Sequence, residues 1–190
     1  MIKYVGEIKN RIMNFNLEKT YTNDFSILRE YGNLVDEWSN VYDHCKKEGE
    51  LAFIIGKLLK LSEDDLSTLV RGAILHDWFK RSEREVAEMY GGDPEKYDTA
   101  NEFSYSGLIE LNVPERVVEV AHSVGHTALK KIQLSSDILK RTMFLIDNIV
   151  DGDTLVEYDE RMDRLEKSSR YTKLNEAGRA EHNGRTYYEV

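Results

Sequence analysis

Apolar residues recur at three- and four-residue intervals along most of the chain, and no stretch alternates apolar with polar over a strand's length before the last dozen residues. That spacing predicts an all-α protein. A first helix is expected from about Asp24 to Ser39 and a second from about His44 to Lys60, the latter with an apolar stripe of Leu51, Ala52, Ile55 and Leu59. Ser62 followed by Glu63, Asp64 and Asp65 reads as an N-cap with first-turn acids. The helix it opens carries Leu66, Leu69, Val70, Ala73 and Ile74 directly into His76 and Asp77. A short helix near Ser82 to Tyr90 should stop at Gly91-Gly92-Asp93-Pro94. Further helices are expected near Asn101 to Leu111, from Pro114 through Val117, Val120, Ala121 and Val124, from Ser135 to about Val150, and from Thr154 to about Ser168. Past Arg170 the apolar content falls, and Asn183-Gly184 ahead of Thr186-Tyr187-Tyr188 is a hairpin signal.

The pattern divides the chain into an N-terminal arm (residues 1–20), a helical domain (21–169) and a C-terminal tail with a small β-hairpin (170–190). A chain of 190 residues buries roughly 70% of its unfolded surface, enough for a real core. The apolar runs are too interrupted by charge for a membrane span or a secretory signal, and the single cysteine, Cys45, forms no internal disulfide. A cytoplasmic location is expected. The net charge of −9 disfavours a nucleic-acid polymer as partner, while a bound metal ion would let a small anion approach.

Candidate chemistry lies where polar residues interrupt apolar stripes. Asp77 continues the series 66, 69, 70, 73, 74, so a carboxylate occupies a core position. Burying it alone costs several kcal/mol, on the order of what a cation would offset. Asp147 repeats the anomaly between Met143 and Val150, and His44 extends the second helix's stripe backwards. His76, beside Asp77 at a helix end, supplies a fourth group. Imidazoles with carboxylates suit a divalent ion such as Mn, Fe, Co, Ni, Zn or Mg.

The order His44, His76-Asp77, Asp147, at intervals of 32 and 70 residues, resembles the HD-domain superfamily of metal-dependent phosphohydrolases. The segments HCKKEGELA (His44 to Ala52), GAILHDWFK (Gly72 to Lys80) and FLIDN (Phe144 to Asn148) are similar to that family's first-histidine helix, HD helix and final aspartate helix. The resemblance covers about Val41 to Asp151. It implies a helical bundle with one divalent metal on His44, His76, Asp77 and Asp147, and hydrolysis of a phosphoester or phosphoanhydride in a small anionic substrate such as a nucleotide. Some members split dinucleoside polyphosphates, and the HD and final-aspartate segments look most like those.

Around that set, Lys80 lies four residues after His76 and, with Arg81, is a candidate phosphate contact or else part of a solvated basic end. Glu48, one turn from His44, either orients that imidazole, acts on a water molecule, or is an exposed acid. His122 and His126, at i, i+4, are candidate substrate contacts, and His122 with Asp77 and Glu48 a candidate proton carrier. Their alternative is a pair of buried histidines bonded to backbone. Two-metal members carry a further histidine where this chain reads Phe103-Ser-Tyr-Ser-Gly107, so one ion is favoured over two. Two other classes fit the same fold: a nucleotide-binding regulatory module without turnover, and a di-iron oxygenase.

Overall fold

Ser62 starts the central helix as its side chain dictates, its Oγ accepting the amide of Asp65 at 3.1 Å with Glu63, Asp64 and Asp65 in the first turn. A computed structural model of the chain describes residues 16–32, 39–80, 94–124, 128, 132 and 135–167. Among these there are eight helices and one small antiparallel sheet: α1 (Leu17–Thr20), α2 (Thr22–Gly32), α3 (Ser39–Leu58), α4 (Glu63–Leu75), α5 (Pro94–Glu110), α6 (Glu115–Ala121), α7 (Ile138–Ile149), β1 (Val150–Asp151), β2 (Thr154–Leu155) and α8 (Tyr158–Lys167). The class is all-α. Among the described residues no helix is long and apolar enough to cross a membrane.

The bundle is built around α4, which packs against α2, α3, α6 and α7. Its second half is buried nearly all round, at Leu69, Val70, Gly72, Ala73, Ile74 and Leu75, as a helix enclosed by others must be. Phe25 and Leu28 of α2, Cys45 and Ala52 of α3, Val117 and Val120 of α6, and Met143 and Ile146 of α7 complete one core, which Leu17 of α1 also joins. Polar ties supplement it. Arg71 of α4 donates from Nε and Nη2 to both oxygens of the buried Asp24 on α2, each at 3.0 Å. Asp137 caps α7, its Oδ1 accepting the Leu139 amide at 3.1 Å.

Several expected boundaries move. α3 begins at Ser39, so His44 lies inside the helix rather than at its start. Pro94 opens α5 instead of closing a turn, as its fixed φ and missing N–H allow in a first turn. Pro114 is the N-cap of α6 rather than its first helical residue. The segment 150–155, expected to be helical at both ends, is a β-hairpin: Val150 pairs with Leu155 and Asp151 with Thr154. Gly152 takes φ +63° at the first central position of the turn, a sign that primed hairpin turns demand and glycine supplies cheaply. The helix expected near Ser82 to Tyr90, most of the N-terminal arm and the hairpin expected at Asn183-Gly184 lie outside the described residues.

Close approach of α4 to α6 depends on Gly72. A Cβ there would stand 2.8 Å from Val120 Cγ1 and 3.3 Å from the Ala121 amide nitrogen, the latter a backbone atom that cannot rotate away. Gly72→Ala is expected to destabilise the chain by about 1–3 kcal/mol through overpacking. A urea midpoint equal to that of the unaltered protein would show that the two helices are not held at this distance.

Candidate metal centre

α4 ends at Leu75, and the chain then tightens: the Trp78 amide bonds the Leu75 carbonyl at 3.2 Å and the Lys80 amide bonds the Asp77 carbonyl at 3.0 Å, both i to i+3. The adjacent residues His76 and Asp77, at this helix end, both reach one place. Asp77 Oδ2 stands 3.7 Å from His76 Nε2 and 3.9 Å from His44 Nε2. α7 brings Asp147 to the same point, its Oδ1 3.8 Å from His76 Nε2. α3 supplies His44 and, one turn on, Glu48, whose Oε1 is 3.0 Å from His44 Nε2.

Both imidazoles are oriented from behind. His76 Nδ1 lies 2.9 Å from the Ala73 carbonyl and His44 Nδ1 lies 2.8 Å from the Gly152 carbonyl. A carbonyl only accepts, so each Nδ1 is the donor and each Nε2 turns toward the carboxylates. Buried His76 Nε2 makes no hydrogen bond, and the buried Glu48 meets the imidazoles only as ion pairs, Oε1 at 3.0 Å from His44 Nε2 and Oε2 at 3.4 Å from His76 Nδ1. An orphaned polar atom such as His76 Nε2 costs about 1–3 kcal/mol unless something coordinates it.

A divalent ion fits this donor set. Two atoms each about 2.1 Å from one ion can stand no more than about 4.2 Å apart. The four separations above, from 3.0 to 3.9 Å, satisfy that limit. One ligand atom from each of His44, Glu48, His76 and Asp147 lies within 4.8 Å of the others. Of the four residues singled out from spacing, His44, His76 and Asp147 belong to that group; its fourth member is Glu48, buried rather than an exposed acid, and Asp77 stands beside it with Oδ2 within 3.9 Å of both imidazole Nε2 atoms. The Glu48 signal was present in the sequence: Glu48 precedes Leu51 and Ala52 by three and four residues, the same interruption of a stripe that marks Asp77.

Lys80 Nζ bonds the other Asp77 oxygen, Oδ1, at 3.0 Å. His122 has a different setting from the one expected of a substrate contact. It caps the C-terminus of α6, its Nδ1 donating to the Val118 carbonyl at 3.0 Å and its Nε2 accepting from Ser104 Oγ at 3.2 Å. Ser104 in turn accepts from Trp78 Nε1 at 3.0 Å. Both ring nitrogens are engaged by protein, and burial pushes this histidine's pKa down, so the ring is neutral. Because α6 stops at Ala121, no helical register carries from His122 to His126. His126 and Arg81 lie outside the described residues. Comparison of the chain with protein-family models, curated proteins and solved structures returns no match.

Without a cation the site holds protons instead. Burial alone would push His44 down, but Glu48, Asp77 and Asp147 hold its pKa up to about 9. Burial also raises Glu48, against the pull of His76 and His44. Burial would raise Asp77 as well, but Lys80 and the two imidazoles outweigh it and keep that carboxyl below the usual carboxylate range. A histidine raised on folding stabilises the chain fully below its unfolded pKa of about 6.5, and that stability is lost as pH rises through about 9. Metal-stripped protein is therefore expected to lose melting temperature between these two values, and Glu48→Gln to flatten the slope. A flat profile in the unaltered chain would contradict the charge arrangement described.

Proposed function

We propose that this chain is a metal-dependent phosphohydrolase with an HD-type helical bundle, acting on a small phosphorylated substrate such as a nucleotide or a related phosphoester or phosphoanhydride. The observation that carries the reading is the convergence of two backward-anchored imidazoles and three carboxylates, with His76 Nε2 buried and unbonded among them. His44, His76, Asp77 and Asp147 would hold one divalent ion, of the group Mn, Co, Ni, Fe, Zn or Mg, with Glu48 beneath the imidazoles. Such an ion supplies Lewis acidity toward a phosphoryl oxygen and makes water a usable nucleophile near neutral pH.

The chain's own residues supply the rest. The Ala73 and Gly152 carbonyls keep each Nδ1 protonated, so each Nε2 lone pair is available. Lys80 is 57% exposed along its side chain while its ammonium sits on Asp77, so it can lean from Asp77 Oδ1 to a phosphate oxygen without leaving the site. Of the candidate proton carriers, His122 is spent on Val118 and Ser104. Asp77, held down, remains a carboxylate, and Glu48, pushed up by burial, is the acid disposed to accept a proton. A net charge of −9 favours substrates small enough to be met by local cations alone.

The test is phosphate release from a panel of nucleotides and an aryl phosphate by metal-stripped protein resupplied with Mn, Co, Ni, Zn or Mg. Turnover should require metal and should fall about 100-fold or more in Asp77→Ala, a barrier increase of about 2.7 kcal/mol. Nucleotide binding without turnover under every metal would replace this reading with the regulatory one. Two irons per chain with oxygen consumption would replace it with the oxygenase.

A further inference from the structure

The contact that orients His44 comes from the least supported element described. Its acceptor, the Gly152 carbonyl, belongs to a two-residue turn on a sheet of two residue pairs, and an isolated hairpin of that size is marginal in water. Nothing lies within 4 Å of the position a Gly152 Cβ would take, so the turn is not packed in place. Val150 roots the base of the hairpin in the core and Thr154 Oγ1 bonds the Asp151 carbonyl at 2.9 Å, and next to the turn itself the Asp151 carboxylate is gripped from outside. Its Oδ1 accepts from Arg161 Nη1 at 3.0 Å and its Oδ2 from Arg164 Nη1 at 2.9 Å. The two arginines, three residues apart, share one face of α8. Both oxygens of one carboxylate are thus held by α8, a helix that also packs against α7.

We propose that Asp151, clamped by Arg161 and Arg164, is a positioning residue that fixes the Gly152 carbonyl on His44 Nδ1 and so sets the affinity of the centre for its ion. The inference rests on the metal-binding reading above. The chain of causes is short. The clamp fixes the hairpin, the hairpin fixes the carbonyl, and the carbonyl fixes which His44 nitrogen faces the carboxylates. Outer partners of metal-ligating histidines typically govern affinity by about 10- to 100-fold when lost. Asp151 is 44% and Arg164 51% exposed while Arg161 is 18% exposed, so Asp151→Ala is the variant that removes the clamp at little cost to global stability and should leave the bundle folded.

The experiment is calorimetric titration of the metal-stripped full chain with Mn²⁺ and with Co²⁺. Asp151→Ala should bind about 10-fold or more weakly, with helical circular dichroism and melting temperature unchanged, and Arg161→Gln with Arg164→Gln together should bind as weakly. Asp151→Glu should recover much of the loss. Independently of the ion pairs, Gly152→Asn should keep its affinity, since asparagine tolerates positive φ, whereas Gly152→Val should lose it. Unaltered affinity in the clamp variants overturns the proposal alone. Loss of affinity only in step with loss of helical signal also overturns it, because the role would then be structural. No uptake by the unaltered chain overturns both this and the metal-dependent reading.

Discussion

Crowding of carboxylates in the interior is the constraint on which the rest of the structure turns. Asp77 approaches both imidazole Nε2 atoms, Asp147 that of His76 and Glu48 that of His44, and Glu48 is wholly buried. At the low effective dielectric of an interior such charges cannot coexist without compensation. The protein has two ways to supply it. Protons do so in the metal-free state, which is why His44 is held up near 9. Under the metal-binding reading a divalent cation would do so instead, by taking the Nε2 positions those protons would occupy. Each arrangement excludes the other at His44, so the site's charge is settled locally rather than by the protein as a whole.

The geometry that permits this crowding begins at the end of α4. Asp77 is the second residue past Leu75, where the chain turns in i to i+3 steps, and its Oδ2 reaches within 3.7 Å of His76 Nε2. The next residue, Trp78, ties that turn to the bundle. Its indole donates to Ser104, which donates to His122, which donates to the Val118 carbonyl. Gly107 leaves room for the indole ring, since a Cβ there would come within 2.9 Å of Trp78 Cη2. α5 and α6 thereby hold the residue immediately after Asp77. His122 earns its buried place as the middle of this chain of hydrogen bonds.

The sequence made the candidate ligands legible because burying an acid violates a pattern, and a violation at helical spacing can be read without coordinates. Asp147 interrupts the apolar stripe of α7 and Asp77 continues that of α4 just past its end, and both stand within 4 Å of His76 Nε2. Glu48 interrupts the α3 stripe in the same way, yet a lone glutamate one turn from a histidine has an ordinary exposed alternative, so its burial became evident only from packing. The partners that orient the imidazoles were illegible for a stronger reason. Ala73 and Gly152 act through backbone carbonyls, and every residue has one. The hairpin carrying Gly152 was hidden because Val150 continues the α7 stripe, and two-residue strands are too short to show alternation. The helix expected to carry both His122 and His126 is shorter than the pattern: apolar spacing runs on to Val124, but α6 ends at Ala121, and His126 lies outside the described residues.

Under the phosphohydrolase reading, charge balance also assigns Lys80 its part. Three carboxylates facing one divalent ion leave an excess of negative charge, which the Lys80 ammonium on Asp77 offsets. An arriving phosphoryl group adds further negative charge to a site already balanced. It can be met if Lys80 trades Asp77 for a phosphate oxygen, a move its exposed stem allows. Asp77 would then face the ion more strongly. On this reading the exchange of one Lys80 partner for another is what would let a centre so rich in carboxylates accept an anion.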